Sequence, residues 1–171
     1  MFLKKKEIAN IKNEFLVNFE KVADDLLMVS ITNQLENHQP PSYWRLTKVN
    51  EVPPLEIGLN RQQGVISCIT LFIDGLNISE IDDYNMSMIE GNVIVDTSIF
   101  TKENDYYDVE KSYDISVSND RFICLFDSIK ENTIAFRNGR VEIFVDSNNN
   151  IIGLSVCDLS KDENNMIKSI R

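Results

Sequence analysis

The sequence is poor in the residues from which most enzyme chemistry is built. It has one histidine, His38, set in the proline-flanked stretch His38-Gln39-Pro40-Pro41. Histidine is the side chain whose ordinary pKa suits proton transfer near neutrality, so a His-based triad or a His-ligated metal has almost no material here. Six glycines leave no GxGxxG, no P-loop and no GxSxG elbow. The three cysteines, Cys68, Cys124 and Cys157, include no CxxC and lie in apolar, strand-like runs. That pattern reads as buried, reduced thiols rather than a disulfide framework or a zinc site. No cofactor and no metal are expected from this inventory. No stretch is long and apolar enough to span a bilayer. The opening Met1-Phe2-Leu3-Lys4-Lys5-Lys6 leads into polar residues, so no secretory signal is expected and the expected compartment is the cytoplasm.

Positive charge is also scarce. Lysine and arginine total 17 against 27 aspartates and glutamates, a formal net charge of −10. Such a surface repels phosphate backbones and anionic lipid, which argues against nucleic acid and membrane and favours a basic protein as partner. The plainer alternative is charge that only keeps the protein soluble.

What is present is enough for a folded body. The 171 residues are 43% hydrophobic and 26% charged, no linker interrupts them, and one domain over 1–171 is expected. The clearest internal signal is a near-repeat. Residues 55–70, LEIGLNRQQGVISCIT, align without gaps to 141–156, VEIFVDSNNNIIGLSV. Glu56 meets Glu142, Ile57 meets Ile143, Asn60 meets Asp146 and Ile66 meets Ile152. Each copy reads as strand, polar turn, strand, that is, a β-hairpin used twice. Gly64 is suited to the left-handed turn position in the first copy, and Asn150 takes its place in the second. The run Asp146-Ser147-Asn148-Asn149-Asn150 opens like a calcium loop, but Ile151 and Cys157 stand where the loop needs Gly and Glu, so a plain turn is preferred.

Around the hairpins, residues 4–27 carry Ile8, Ile11, Phe15, Phe19, Val22 and Leu26 at spacings of three and four, which predicts a helix. A rival reading is the alternation through Phe15-Leu16-Val17-Asn18-Phe19. Strands are expected at 26–32, 92–99, 111–117, 121–126 and 133–136, with a short edge strand at 43–49 between Pro40-Pro41 and Pro53-Pro54. Trp44 in that strand is either a loop anchor against the core or an exposed hot spot. Ser160 with Glu163 has capping-box spacing and predicts a short helix to about residue 170. The expected fold class is α+β: a mainly antiparallel β-sheet with two similar hairpins, an N-terminal helix and a short C-terminal helix.

Two places could carry function. Glu56 and Glu142 occupy equivalent positions in the hairpins and would be the pair for carboxylate-dependent hydrolysis if the hairpins faced each other. The bland reading makes each an outward-facing strand residue between apolar neighbours, with an intrachain ion pair as the further alternative. The stronger signal is an acidic segment holding Glu80, Asp82, Asp83, Glu90, Asp96, Glu103, Asp105, Asp108, Glu110 and Asp114, with Tyr84, Tyr106, Tyr107 and Tyr113 interleaved and only Lys102 and Lys111 opposing. Tyrosines give contact area at low entropic cost and carboxylates steer a basic partner. The candidate partner-binding set is Asp82, Asp83, Tyr84, Glu103, Asp105, Tyr106, Tyr107, Asp108 and Glu110.

In its size, acidity, low glycine content, Asn/Ile/Lys-rich style and the segment PPLEIGLNRQQGVISCITLF before an acidic region, the chain resembles the small immunity proteins of bacterial polymorphic toxin systems. The resemblance implies a non-enzymatic protein that binds a basic toxin domain, such as a nuclease, and occludes its active site. The alternatives are the Glu56/Glu142 hydrolase and a structural or oligomerising β-domain.

Overall fold

The computed structural model describes residues 1–170 except 11, 35–38, 48–52, 76, 77, 81–83, 85, 102 and 119. It is mostly β, with 56% strand and 7% helix, which corrects the α+β expectation. In the first half of the chain lie β1 (Lys5–Ala9), β2 (Phe15–Ala23), β3 (Leu26–Asn33), β4 (Ser42–Leu46), β5 (Leu55–Leu59) and β6 (Ile66–Asp74). A middle segment gives β7 (Ile78–Glu80), β8 (Ser87–Glu90), β9 (Asn92–Val95) and β10 (Tyr106–Val109). The second half gives β11 (Asp114–Val117), β12 (Phe122–Leu125), β13 (Ile134–Asn138), β14 (Val141–Val145), β15 (Ile151–Val156) and the single helix α1 (Lys161–Ser169).

The expected N-terminal helix is β1 and β2. A spacing of four is even, so Phe15 and Phe19, both buried, share a face of a strand as readily as a face of a helix. Two other members of the expected stripe do not behave as a core face, Ile8 being 43% and Val22 45% exposed, and Ile11 lies outside the described residues. Asp24 and Asp25 form the turn that reverses β2 into β3. The C-terminal helix has the expected start. Ser160 Oγ accepts from Glu163 N, and the Glu163 carboxylate accepts from Ser160 N, closing the capping box. Ile167 and Ile170 then join the core.

Two large sheets face each other. One runs β10-β4-β5-β6-β3-β2, the other β7-β11-β12-β15-β14-β13-β8, and β1 and β9 form a separate ribbon. Alternate residues of each sheet enter one shared core: Val29, Trp44, Ile57 and Leu71 from the first, Phe122, Ile143, Leu154 and Val156 from the second. Phe19 meets Phe122 edge-on at 6.0 Å, and Trp44 meets Phe126 at 5.7 Å. Trp44 is 1% exposed and its indole N–H donates to Met1 O, so it is a core anchor. Cys124 and Cys157 are buried and Cys68 is half-buried.

The repeat is larger than a hairpin. β2 to β6 are arranged β4-β5-β6-β3-β2, and β11 to β15 are arranged β13-β14-β15-β12-β11, with every neighbouring pair antiparallel in both. Each unit then receives a parallel edge strand from the middle segment, β10 beside β4 and β8 beside β13. The hairpins share a bulge: register passes from Gly58↔Cys68 to Leu59↔Ile66, and from Phe144↔Gly153 to Val145↔Ile151, leaving Ser67 and Ile152 as the extra residues. The second turn is one residue shorter, so the gapless alignment holds up to Asn60 and Asp146 and slips by one beyond the turn.

Asn60 and Asp146 do the same work in the two turns. Asn60 Oδ1 accepts from the backbone of Gln62 and Gln63; Asp146 Oδ1 accepts from that of Asn148 and Asn150. The left-handed residues are Gly64 (φ 70°) and Asn149 (φ 61°); Asn149, not Asn150, is therefore the counterpart of Gly64. The ribbon clasps both turns in the same way. Val95 N donates to Gly64 O at 2.8 Å, and Lys5 N donates to Asn149 O at 2.7 Å.

Two outcomes follow from these turns. A Cβ on Gly64 would lie 2.3 Å from Val95 O, so Gly64→Ala should cost about 2–3 kcal/mol in urea unfolding, while Asn149→Gly should shift stability by about 0.5 kcal/mol or less. Burial opposes ionisation of Asp146, yet the hydrogen bonds from Asn150 and Asn148 win and hold its carboxyl below the usual range. Its stabilisation is therefore present above the ordinary carboxylate pKa and is lost as pH falls through the depressed folded value. Asp146→Ala should cost about 1 kcal/mol at pH 7, and the gap from the native chain should close on acidification.

Candidate functional site

The acidic, tyrosine-bearing candidate forms around β10. This strand lies parallel to β4 with Tyr106↔Tyr43, Tyr107↔Trp44 and Asp108↔Arg45 in register. Alternation sorts its side chains. Tyr106 and Asp108 share the outer face of the sheet with Tyr43 and Arg45, whereas Tyr107 and Val109 pack against the core. Tyr107 is thus half-buried, and Tyr106, 47% exposed, is the tyrosine this edge presents.

The outer face is built around Arg45. Its guanidinium makes a bidentate pair with Asp108, Nε to Oδ1 at 2.6 Å and Nη2 to Oδ2 at 2.9 Å, and lies 3.8 Å from the Glu56 carboxylate. It also covers the Tyr106 ring at 4.5 Å, and the other contact of that ring is a stack on Tyr43 at 5.7 Å, 14° from parallel. The Asp108 hydrogen bond raises the pKa of Arg45 against the opposing effect of burial. The Tyr43 hydroxyl is pushed up, first by burial and then by Cys68 and Glu56 beside it. Burial likewise pushes up the Cys68 thiol, against hydrogen bonds from Gly58 and Tyr43.

A second arginine anchors the approach to the strand. Arg61, in the β5–β6 turn, reaches the Asp105 carboxylate at 3.4 Å and donates to the carbonyls of Phe100 and Thr101. Ser42 Oγ donates to the same Asp105 oxygen at 3.2 Å, and Tyr43 N donates to Asp105 O. Glu103 and Glu110 are exposed and stand outside both arginine networks. Among the described residues, Glu56, Asp105 and Asp108 meet these two guanidinium groups, and exposed Glu103 and Glu110 flank β10 in sequence, with Lys111 after them.

Several expected residues lie elsewhere. Asp82, Asp83 and His38 lie outside the described residues, and Tyr84 is exposed. Glu56 and Glu142 are not brought together. Each alternates with core residues, Leu55 and Ile57 or Val141 and Ile143, so the two carboxylates leave opposite sheets on their outward faces. Glu56 joins the Arg45 network. Glu142 is 4% exposed, opposite Ser155 and close to Cys157. Burial raises the Cys157 thiol and the Glu142 charge adds to it, while the Ser155 hydroxyl and Arg121 oppose.

Sequence reasoning missed Tyr43, Arg45 and Arg61. The signal for the first two was the alternation Tyr43-Trp44-Arg45-Leu46, which puts tyrosine and arginine on the face opposite tryptophan and leucine. Arg61 lies in a turn and had no such signal.

Among the described residues no cluster of three or more His, Cys, Asp or Glu is placed to hold a metal ion, and no helix is long and apolar enough to cross a membrane. No protein-family model matches the chain, and no characterised protein matches its sequence.

Arg45 and Asp108 are partly exposed, but their geometry is bidentate and Tyr106 shields one side. A double-mutant cycle of Arg45→Ala and Asp108→Ala should give a coupling of about 0.5–1 kcal/mol that shrinks in high salt. A coupling near zero would show that the pair does not organise this edge.

Proposed function

We propose that this chain is a cytoplasmic, non-catalytic binding protein whose β10 edge engages a basic protein, in the manner of an immunity protein that covers the active site of a toxin nuclease. The observation that carries the reading is the pre-aligned edge itself: Tyr106 held between Tyr43 and Arg45, with carboxylates in excess around it. Fixing these side chains before contact lowers the ordering cost of association. The surplus charge, on a chain of net charge −10, speeds encounter with a positively charged groove. Exposed Glu103 and Glu110 supply steering, and Tyr106 supplies the aromatic anchor.

The test is co-expression with the product of the adjacent reading frame, followed by stopped-flow association of the purified pair. Glu103→Lys with Glu110→Lys should slow association about tenfold at low salt and leave dissociation nearly unchanged. Tyr106→Ala should act mainly on dissociation. A partner that fails to co-purify, or association indifferent to both salt and charge reversal, would overturn the reading.

A further inference from the structure

The β1–β9 ribbon and the β5–β6 turn border a pocket of about 240 Å³ lined by five carboxamides, Asn10, Asn13, Asn33, Gln63 and Asn92, together with the charged pair Glu7 and Lys12. Val65 and Ile94 give it an apolar floor. We propose that this pocket binds a small, uncharged polyol of monosaccharide size.

The lining sets the chemistry. Each carboxamide offers a donor and an acceptor on one rigid plane, and a hydroxyl is the group that satisfies both. Glu7 and Lys12 both line the pocket, so it carries no net charge to select an ion. The volume lies below the range usual for drug-sized ligands, which suits a single sugar ring.

Two buried acceptors adjoin the pocket. Asn33 Oδ1 and Asn138 Oδ1 are inaccessible and have no hydrogen-bond partner, a costly arrangement for buried polar atoms. The orientation of Asn138 is fixed. Its Nδ2 donates to Asn13 O at 3.0 Å and to Asn92 Oδ1 at 2.6 Å, so the unpaired atom is necessarily its oxygen. Asn138 is 2% exposed. With Asn33, Val65 and Asn92 it lines a narrow recess of about 10 Å³, and those three also line the main pocket. A sugar seated in the main pocket would present its hydroxyls to the carboxamides that line it, Asn10, Asn13, Gln63 and Asn92 among them. This site is separate from the β10 edge and does not rest on the partner-binding reading.

The test is titration of the full chain, followed by amide and side-chain carboxamide NMR, with glucose, galactose, mannose and ribose, and with glutamine as a zwitterion of similar size. At least one sugar should give saturable shifts at Gln63 and Asn33 with a dissociation constant of about 1 mM or tighter. Asn33→Leu removes an unpaired acceptor, so the unfolding midpoint should hold or rise while sugar affinity falls about tenfold. Gln63→Ala, in an exposed turn position, should weaken binding by a similar factor. No saturation by any sugar at about 20 mM, or sugar affinity unchanged in Asn33→Leu, would overturn the proposal. So would glutamine binding at these residues in preference to every sugar.

Discussion

A two-stranded ribbon held between two turns sets the geometry of this protein. The β5–β6 and β14–β15 turns each end in a left-handed residue whose carbonyl accepts from the ribbon, Gly64 from Val95 and Asn149 from Lys5. Ile151 N adds a bond to Leu3 O, and Asp96 N a bond to Lys4 O. Backbone hydrogen bonds of this kind are modest singly but tolerate little error in position. Joined through one ribbon, the two turns fix where the central hairpin of one sheet stands relative to that of the other. The apolar faces then meet in register, Phe19 on Phe122 and Trp44 on Phe126. The carboxamide pocket lies on this ribbon because the first turn approaches it side-on.

Charge is arranged differently at the two ends of the β5–β6 hairpin. At the β10 edge, arginines absorb part of the acidic excess and hold it in shape. Asp108 and Asp105 are paired locally yet stay more exposed than the arginines that hold them, so what reaches solvent is an ordered aromatic and carboxylate surface flanked by Glu103 and Glu110. At the pocket, amides stand beside one charge of each sign, Glu7 and Lys12. Gln63 and Arg61 stand two residues apart in one turn and serve these two environments.

Much of the β architecture was legible because alternation is a strong local signal. The strands of both hairpins, β3, β12 and the capped α1 could be read from period and cap chemistry. The N-terminal pair failed for a physical reason: Phe15 and Phe19 fit a period of two and a period of 3.6 alike, and only tertiary burial separates the cases. The repeat was visible as two strands although five are shared, because the outer strands retain the topology without the residues. At the candidate site the acids were visible as composition. Their pairing with Arg45 and Arg61 was not, since those arginines lie some forty to sixty residues away in sequence. Glu56 and Glu142 were correctly matched as equivalent positions, but equivalence in two opposed sheets sends side chains outward, apart from each other.

The exchange of edge strands bears on how the chain is made. The first five-stranded unit ends at Asp74, yet the strand that covers its β4 edge is Tyr106–Val109. During synthesis from the N-terminus, the β4 edge of that unit stays open until the middle segment has emerged, and its apolar face stays uncovered until the second unit follows. An open edge invites pairing with another chain, and a face of this size has no cover until the second unit arrives. The charged and tyrosine-rich strand thus closes the β4 edge of the nascent protein before the second unit covers the face.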